Sequence, residues 1–193
     1  WIVGTAANAY HISGRSAHSG PGTGGFTAQL LMDYYDFTQD EDFLRETGYP
    51  ALLQMSKFFD KALKETEDGL LLISPSASPE VSHVWENHNN VLRAARALDA
   101  DEPFLEVIES QIPRLDPILI GSSGQIKEFR EEDAYGEIGD QPQHRHISHL
   151  HTLYPGTLIN TSRPEWMKAA AVTLNMRGDV STGWAMAHRM ISW

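Results

Sequence analysis

The sequence predicts an all-α chain built as an array of helix pairs. Apolar residues recur at helical spacing in most segments that carry them. Two stretches, "FTQDEDFLRE" and "LDADEPFLEV", each join two helices through an acidic turn into Phe-Leu, 61 residues apart counted from Leu44 to Leu105. A unit of about two helices is what helical toroids and solenoids repeat. No run of alternating strands and helices points to an α/β fold.

The elements follow in order. Residues 1–23 are rich in Gly, Ser and Ala and read as loop. From Gly25 the pattern turns helical, with Phe26, Leu30, Tyr34 and Phe37 as the apolar stripe. "TQDED" breaks that helix and a short turn around Phe43 and Leu44 follows. Pro50 opens a second helix with Leu53, Phe58 and Leu63 on its apolar side. "GLLLISPSASPE" is a short strand running into a loop, because its Pro and Ser positions do not sustain a helix. Helices return over 84–98 and 102–115. "PILIGSSGQIKEF" predicts a small β-hairpin turning on Ser122, Ser123 and Gly124, and "REEDAYGEIGDQPQ" a polar loop. Pro164 suits a helix start through its fixed φ; that helix runs to Met176 and Gly178 ends it. A last helix spans 182–193.

The 193 residues suffice for one domain with a sizeable core. A net charge of −11 makes nucleic acid and anionic membrane surfaces poor partners. No apolar run approaches the roughly 18 residues of a membrane span. Without cysteine there is neither a disulfide framework nor a thiolate zinc site. The chain starts at Trp1 without an initiator Met, and stops at "HRMISW" inside a helix-like pattern. The expectation is therefore a piece of a longer protein that extends at both ends.

Several motifs carry candidate chemistry. "GPGTGG" matches the spacing of a dinucleotide loop but lacks the preceding buried strand; a flexible loop over a cleft is the favoured reading. "HVWENHNN" places His83, Glu86 and His88 in an order that no zinc-protease pattern uses, and reads as a solvated helix face. In "RGD", Gly178 fits a helix end, and Asp179 either caps the next helix or, like Trp184, lines a pocket. "SPSASPE" delivers one carboxylate, Glu80, at the end of a stiff arm. A general acid needs such fixed placement, and a surface turn ending in a capping Glu explains the same residues. "HRHISHLH" puts four of the nine histidines into eight positions. His146 and His149 share a face if the segment is helical. Two histidines do not make a zinc site, and Arg145 repels a cation. Arg beside His suits a hydroxylated ligand; core histidines with satisfied nitrogens are the plainer alternative.

In the order "SPSASPE", "LIGSSGQIKEF", "HRHISHLHTLYPGTLIN", "RGDVSTGWAMAHR", and with "GPGTGGFTAQLLMDYYDFTQDEDFL" at the start, the chain strongly resembles glycoside hydrolase family 95, which holds 1,2-α-L-fucosidases and related α-L-galactosidases. The resemblance covers essentially the whole chain. It implies an (α/α)6 barrel, a helical toroid of which residues 1–193 are a central part of the catalytic domain. It implies inverting removal of terminal α-L-fucose from a fucosylated glycan, with neither metal nor cofactor, and an extracellular or periplasmic setting. Glu80 matches the family's general acid, Arg145 and His146 its sugar contacts, and Trp184 a wall of the same cleft. By the same resemblance the family's water-activating Asn-x-Asn motif is expected upstream of Trp1 and its supporting aspartate downstream of Trp193; Asp179 is not that aspartate. Only "VSH" separates Glu80 from "VWENHNN", a shorter segment than in relatives. Two other readings stand beside the fucosidase: a non-catalytic glycan-binding helical domain, and an α-L-galactosidase. A metal-dependent hydrolase using the His cluster is a third. The residues do not specify an oligomeric state.

Overall fold

The computed structural model describes residues 21–73, 81–130 and 143–193. They are mostly helical with a short antiparallel hairpin, as the sequence predicts. The described residues divide into two compact units, 21–73 with 83–116, and 81–82 with 117–130 and 143–193.

The first unit is built on α1 (Pro21–Thr38), α2 (Tyr49–Ala62), α3 (Val81–Leu98) and α4 (Phe104–Gln111). The sequence echo is also a structural one. Helices α1 and α3 are each 18 residues long, and each runs into a residue in the left-handed region, Gln39 at φ 54° and Asp99 at φ 49°. After Gln39 the Asp40 carboxylate accepts the Phe43 N–H at 2.9 Å, capping a short turn, Glu41–Phe43, that continues through a π-turn, Leu44–Gly48, into α2. Pro50 sits in the first turn of α2, where its missing N–H costs nothing. The core is Ala28, Met32, Leu44, Leu52, Leu53, Val91, Ala94 and Ile108. Each fully buried Leu or Val contributes about 1.5–3 kcal/mol.

The stripe expected to face that core does not. Leu30 and Tyr34 are exposed and Phe37 is 90% exposed, while Ala28, Gln29 and Met32 turn inward. Polar pairing explains the inversion. Asn90 of α3 donates to Gln29 Oε1 at 2.8 Å, and Arg93 reaches the Asp36 carboxylate at 2.7 Å. The face of α1 that meets α3 is thus selected by hydrogen bonds as well as by apolar area.

Two further expectations are corrected here. Helix α1 begins at Pro21, so Gly24 and Gly25 are helical and not part of a loop over a cleft. A Cβ on Gly25 would lie 2.9 Å from the His83 Cβ and 3.0 Å from the Phe59 ring. Glycine is needed there because two helices approach too closely for a side chain. Leu63 leaves α2 and starts β1 (Leu63–Glu65), which pairs antiparallel with β2 (Leu71–Ile73), Leu63 opposite Ile73. Arg114 fixes this hairpin, donating to the Gly69 carbonyl at 3.1 Å and pairing with Glu65 at 2.8 Å.

"HVWENHNN" lies in the N-terminal half of α3, and it is buried instead of solvated: Glu86, Asn87, His88 and Asn90 are all inside. A chain of hydrogen bonds runs through it. Asn87 donates to Ser56 Oγ at 2.8 Å, Ser56 Oγ meets His88 Nδ1 at 2.9 Å, and His88 Nε2 meets Gln111 Oε1 at 3.0 Å. Gln111 Nε2 then donates to the Asp60 carboxylate at 2.8 Å. A carboxylate only accepts, so the direction of every link is set from that end. His88 carries its proton on Nε2, and Ser56 donates to Nδ1.

The second unit packs α5 (Pro164–Arg177) and α6 (Gly183–Ser192) with the turns of 117–130 and 143–163. The expected hairpin over 117–129 is present as a single bridge, Ile120 opposite Ile126, with Gly124 at φ 83° in its turn. The Ile126 N–H donates to the Thr173 hydroxyl of α5 at 2.9 Å. The core of this unit is Ile126, Ile147, Leu150, Ile159, Ala169, Ala170 and Leu174.

Candidate functional site

The octapeptide 144–151 divides at Ile147. Arg145 and His146 are exposed and His144 is half-buried, whereas Ile147, His149, Leu150 and His151 are buried. The backbone accounts for the split. Ile147, at φ −129° and ψ 41°, is not helical, and a 3-10 turn, Ser148–Leu150, starts only after it. His146 and His149 therefore do not share a face, which corrects the expectation from their spacing.

The outward half is a compact turn. The His146 N–H donates to His144 Nδ1 at 3.1 Å, and the two rings meet edge to face at 4.8 Å. Trp184, in the first turn of α6, sets its ring edge to face against His146 at 5.2 Å and is itself 54% exposed. His146 and Trp184 thus meet on the exposed side of the turn, with the exposed Arg145 next to His146 in sequence. Burial, chiefly, with the neighbouring His144 and Arg145, lowers the His146 pKa from its ordinary value. At neutral pH the surface therefore offers a neutral imidazole, a guanidinium and an indole face. Such a set donates hydrogen bonds to hydroxyls and stacks on an apolar sugar face.

The inward half is structural. His149 is pushed down to about 3, by burial first and by the charge of Arg177 second. Its Nδ1 is 4.0 Å from Glu128, but that carboxylate is taken by Arg177 at 2.7 Å, so His149 stays neutral. Among the described residues no cluster of three His, Asp or Glu side chains is placed to hold a metal ion.

Asp179 does not cap α6. The capping position is Thr182, with no side-chain bond, and Asp179 is exposed. Gly178 does end α5, at φ 67°. Glu80 and its "SPSASPE" arm lie outside the described residues. The sequence reading missed Arg189, which donates to the His144 carbonyl, and the Arg177–Glu128 pair, whose charges act on the His144 and His146 rings. Arg177 and Arg189 had one signal, a charge within a helical stretch; Glu128, in the polar run "KEFREED", had none.

The family model described as the glycosyl hydrolase family 95 catalytic domain matches residues 1–193, and the chain belongs to that family. It is similar to "Probable alpha-fucosidase A" of Aspergillus niger, 34% identical over 90% of this chain and 25% of the relative. It is also similar to "Alpha-L-fucosidase 2" of Arabidopsis thaliana, 29% identical over 90% of this chain and 23% of the relative. "Probable alpha-fucosidase A" of Aspergillus oryzae is 31% identical over 65% of this chain and 20% of its own length. The chain thus spans about a quarter or less of the curated relatives it matches.

Proposed function

We propose that the intact protein hydrolyses terminal α-L-fucosides, 1,2-linked ones foremost, by an inverting mechanism. The observation that carries this reading is the Arg145–His146–Trp184 surface within a family 95 chain. The names of the relatives support fucose as the sugar removed.

In this mechanism Arg145 and His146 hold the sugar hydroxyls while Trp184 walls the ring. Glu80, protonated, gives its proton to the departing glycosidic oxygen. Water attacks the anomeric carbon from the opposite face, so acid and water-activating groups stand apart, roughly 6.5–9.5 Å where both are carboxylates. No residue of this chain is assigned to water activation.

The test is Glu80→Gln in the intact protein, assayed on 2′-fucosyllactose and on fucosyl fluoride. The glycan, whose leaving alkoxide needs a proton, loses roughly 10²–10⁴-fold in rate. The fluoride, which leaves unaided, loses far less. Equal loss on both, with sugar binding intact, removes Glu80 from the acid role. An intact wild-type protein that binds fucose but turns over neither substrate is a glycan-binding domain.

A further inference from the structure

Arg189 is 2% exposed, near the end of α6, and no role in the proposed chemistry falls to it. Its Nη1 donates to the Gly178 carbonyl and approaches Met186 Sδ at 3.9 Å. Its Nη2 donates to the His144 carbonyl at 3.2 Å. Its Nε is buried without a partner among the described residues. One planar fork therefore ties the end of α5, helix α6 and the peptide immediately before Arg145.

Stability alone does not account for this arrangement. The two oxygens that Arg189 bonds are neutral carbonyls; burial first and the charge of Arg177 second lower its pKa, and the Asp179 carboxylate, which it does not bond, only partly opposes them. Burying a guanidinium without a paired anion is costly, and an apolar side chain of similar length is often the more stable choice. What the guanidinium supplies is geometry: donors in a fixed plane that a lysine cannot reproduce.

That geometry bears on the sugar surface at two points. Arg189 holds the His144 carbonyl, and the His144 imidazole holds the His146 N–H at 3.1 Å. Trp184, on the same helix, meets the His146 ring at 5.2 Å. Helix α6 thus grips the 144–146 turn by its backbone at one end and by a side chain at the other. We infer that Arg189 is a positioning residue that fixes the His144–His146 turn, so that Arg145 and His146 stand in register with Trp184. This rests on the sugar-binding reading of that surface.

The experiment uses the intact protein with Arg189→Lys, Arg145→Ala and both together. Arg189→Lys keeps the charge and most of the volume; Arg189→Met, if it folds, serves as the apolar comparison. Two quantities are read: kcat/KM on 2′-fucosyllactose, and the rate at which His144 is carbethoxylated in the ligand-free protein, mapped by peptide mass. A displacement near 1 Å costs roughly 10²-fold, so Arg189→Lys lowers kcat/KM by about that factor. In the Arg145→Ala background the same change costs clearly less, about tenfold, because one of the two contacts it positions is gone. His144 is labelled faster in Arg189→Lys, since the turn holding its Nδ1 is released. Equal costs in both backgrounds, or unchanged His144 labelling, overturn the inference. If the wild-type protein hydrolyses no fucoside, the proposed function falls, and His144 labelling still decides the role of Arg189.

Discussion

Arg177 Nη2 lies 2.7 Å from one oxygen of Glu128, and the other oxygen stands 4.0 Å from the neutral His149. The Arg177 side chain is 5% exposed, and the Glu128 carboxylate offsets part of the cost of burying its charge. Removing one partner of a buried pair costs about 3–5 kcal/mol, while replacing both by apolar residues is often neutral. Glu128→Ala is therefore expected to lower the urea midpoint sharply, and Glu128→Leu combined with Arg177→Met to recover most of the loss. A Glu128→Ala protein as stable as wild type would show that the pair carries no stability.

Acid should unfold this protein through its histidines. His83 and His88 are lowered to about 4 and His149 to about 3, burial being the first cause in each. The folded state refuses protons that the unfolded chain accepts below its ordinary value near 6.5. Their contribution is complete above pH 6.5 and is lost as pH falls towards 4 and then 3. Each protonating histidine steepens the loss by about 1.4 kcal/mol per pH unit. Denaturation at pH 7, 6 and 5 measures the slope. His88→Gln removes one proton from it even if the variant starts less stable. A slope unchanged by His88→Gln would mean that His88 titrates alike in both states.

Gly24 and Gly25 are expected to differ in tolerance. A Cβ on Gly24 meets the flexible end of Met55, whereas on Gly25 it meets His83 Cβ, the Phe59 ring and the His83 carbonyl. Gly25→Ala should cost about 1–3 kcal/mol through overpacking. Gly24→Ala should come out near neutral, because Met55 can move aside and alanine gains about 1 kcal/mol of helix propensity. Thermal melts of the two variants check the order; a reversed order would contradict the packing.

The outward surface is expected to bind sugar without a metal. Trp184→Ala removes one aromatic contact, worth about 0.5–1.5 kcal/mol, and should raise the Kd for L-fucose about three- to tenfold at unchanged melting temperature. Arg145→Ala should weaken binding while leaving the fold intact. Prolonged chelation should leave fucoside hydrolysis unchanged. Activity lost to the chelator and restored by zinc would refute the metal-free reading.

What the sequence made legible was mostly what local chemistry decides. Pro50 and Pro164 mark helix starts, Gly178 marks an end, and the two acidic turns mark matching helix ends at Gln39 and Asp99. What stayed hidden was decided across the chain. Leu30, Tyr34 and Phe37 have the spacing of a core stripe, yet Gln29 and Met32 face inward because α3 brings Asn90 to Gln29. "HVWENHNN" is as polar as any solvated face, and only its partners Ser56, Gln111 and Leu52 reveal a buried one. At the candidate site, Arg145, His146 and Trp184 were singled out from the sequence because their types suit a hydroxylated ligand, and the structure brings the His146 and Trp184 rings together. Glu128 and Arg177 were not, since 49 positions separate them and neither type alone signals burial.

The division of the octapeptide at Ile147 changes how a mutational scan of this segment should be scored. Abundance and turnover would separate along eight consecutive codons. Replacements at Arg145 and His146 should leave soluble, well-expressed, inactive protein. Replacements at Ile147, His149 and Leu150 should deplete the protein itself, through degradation or inclusion bodies. A screen reading growth alone would merge the two outcomes and make a contact surface and its foundation look like one contiguous hotspot.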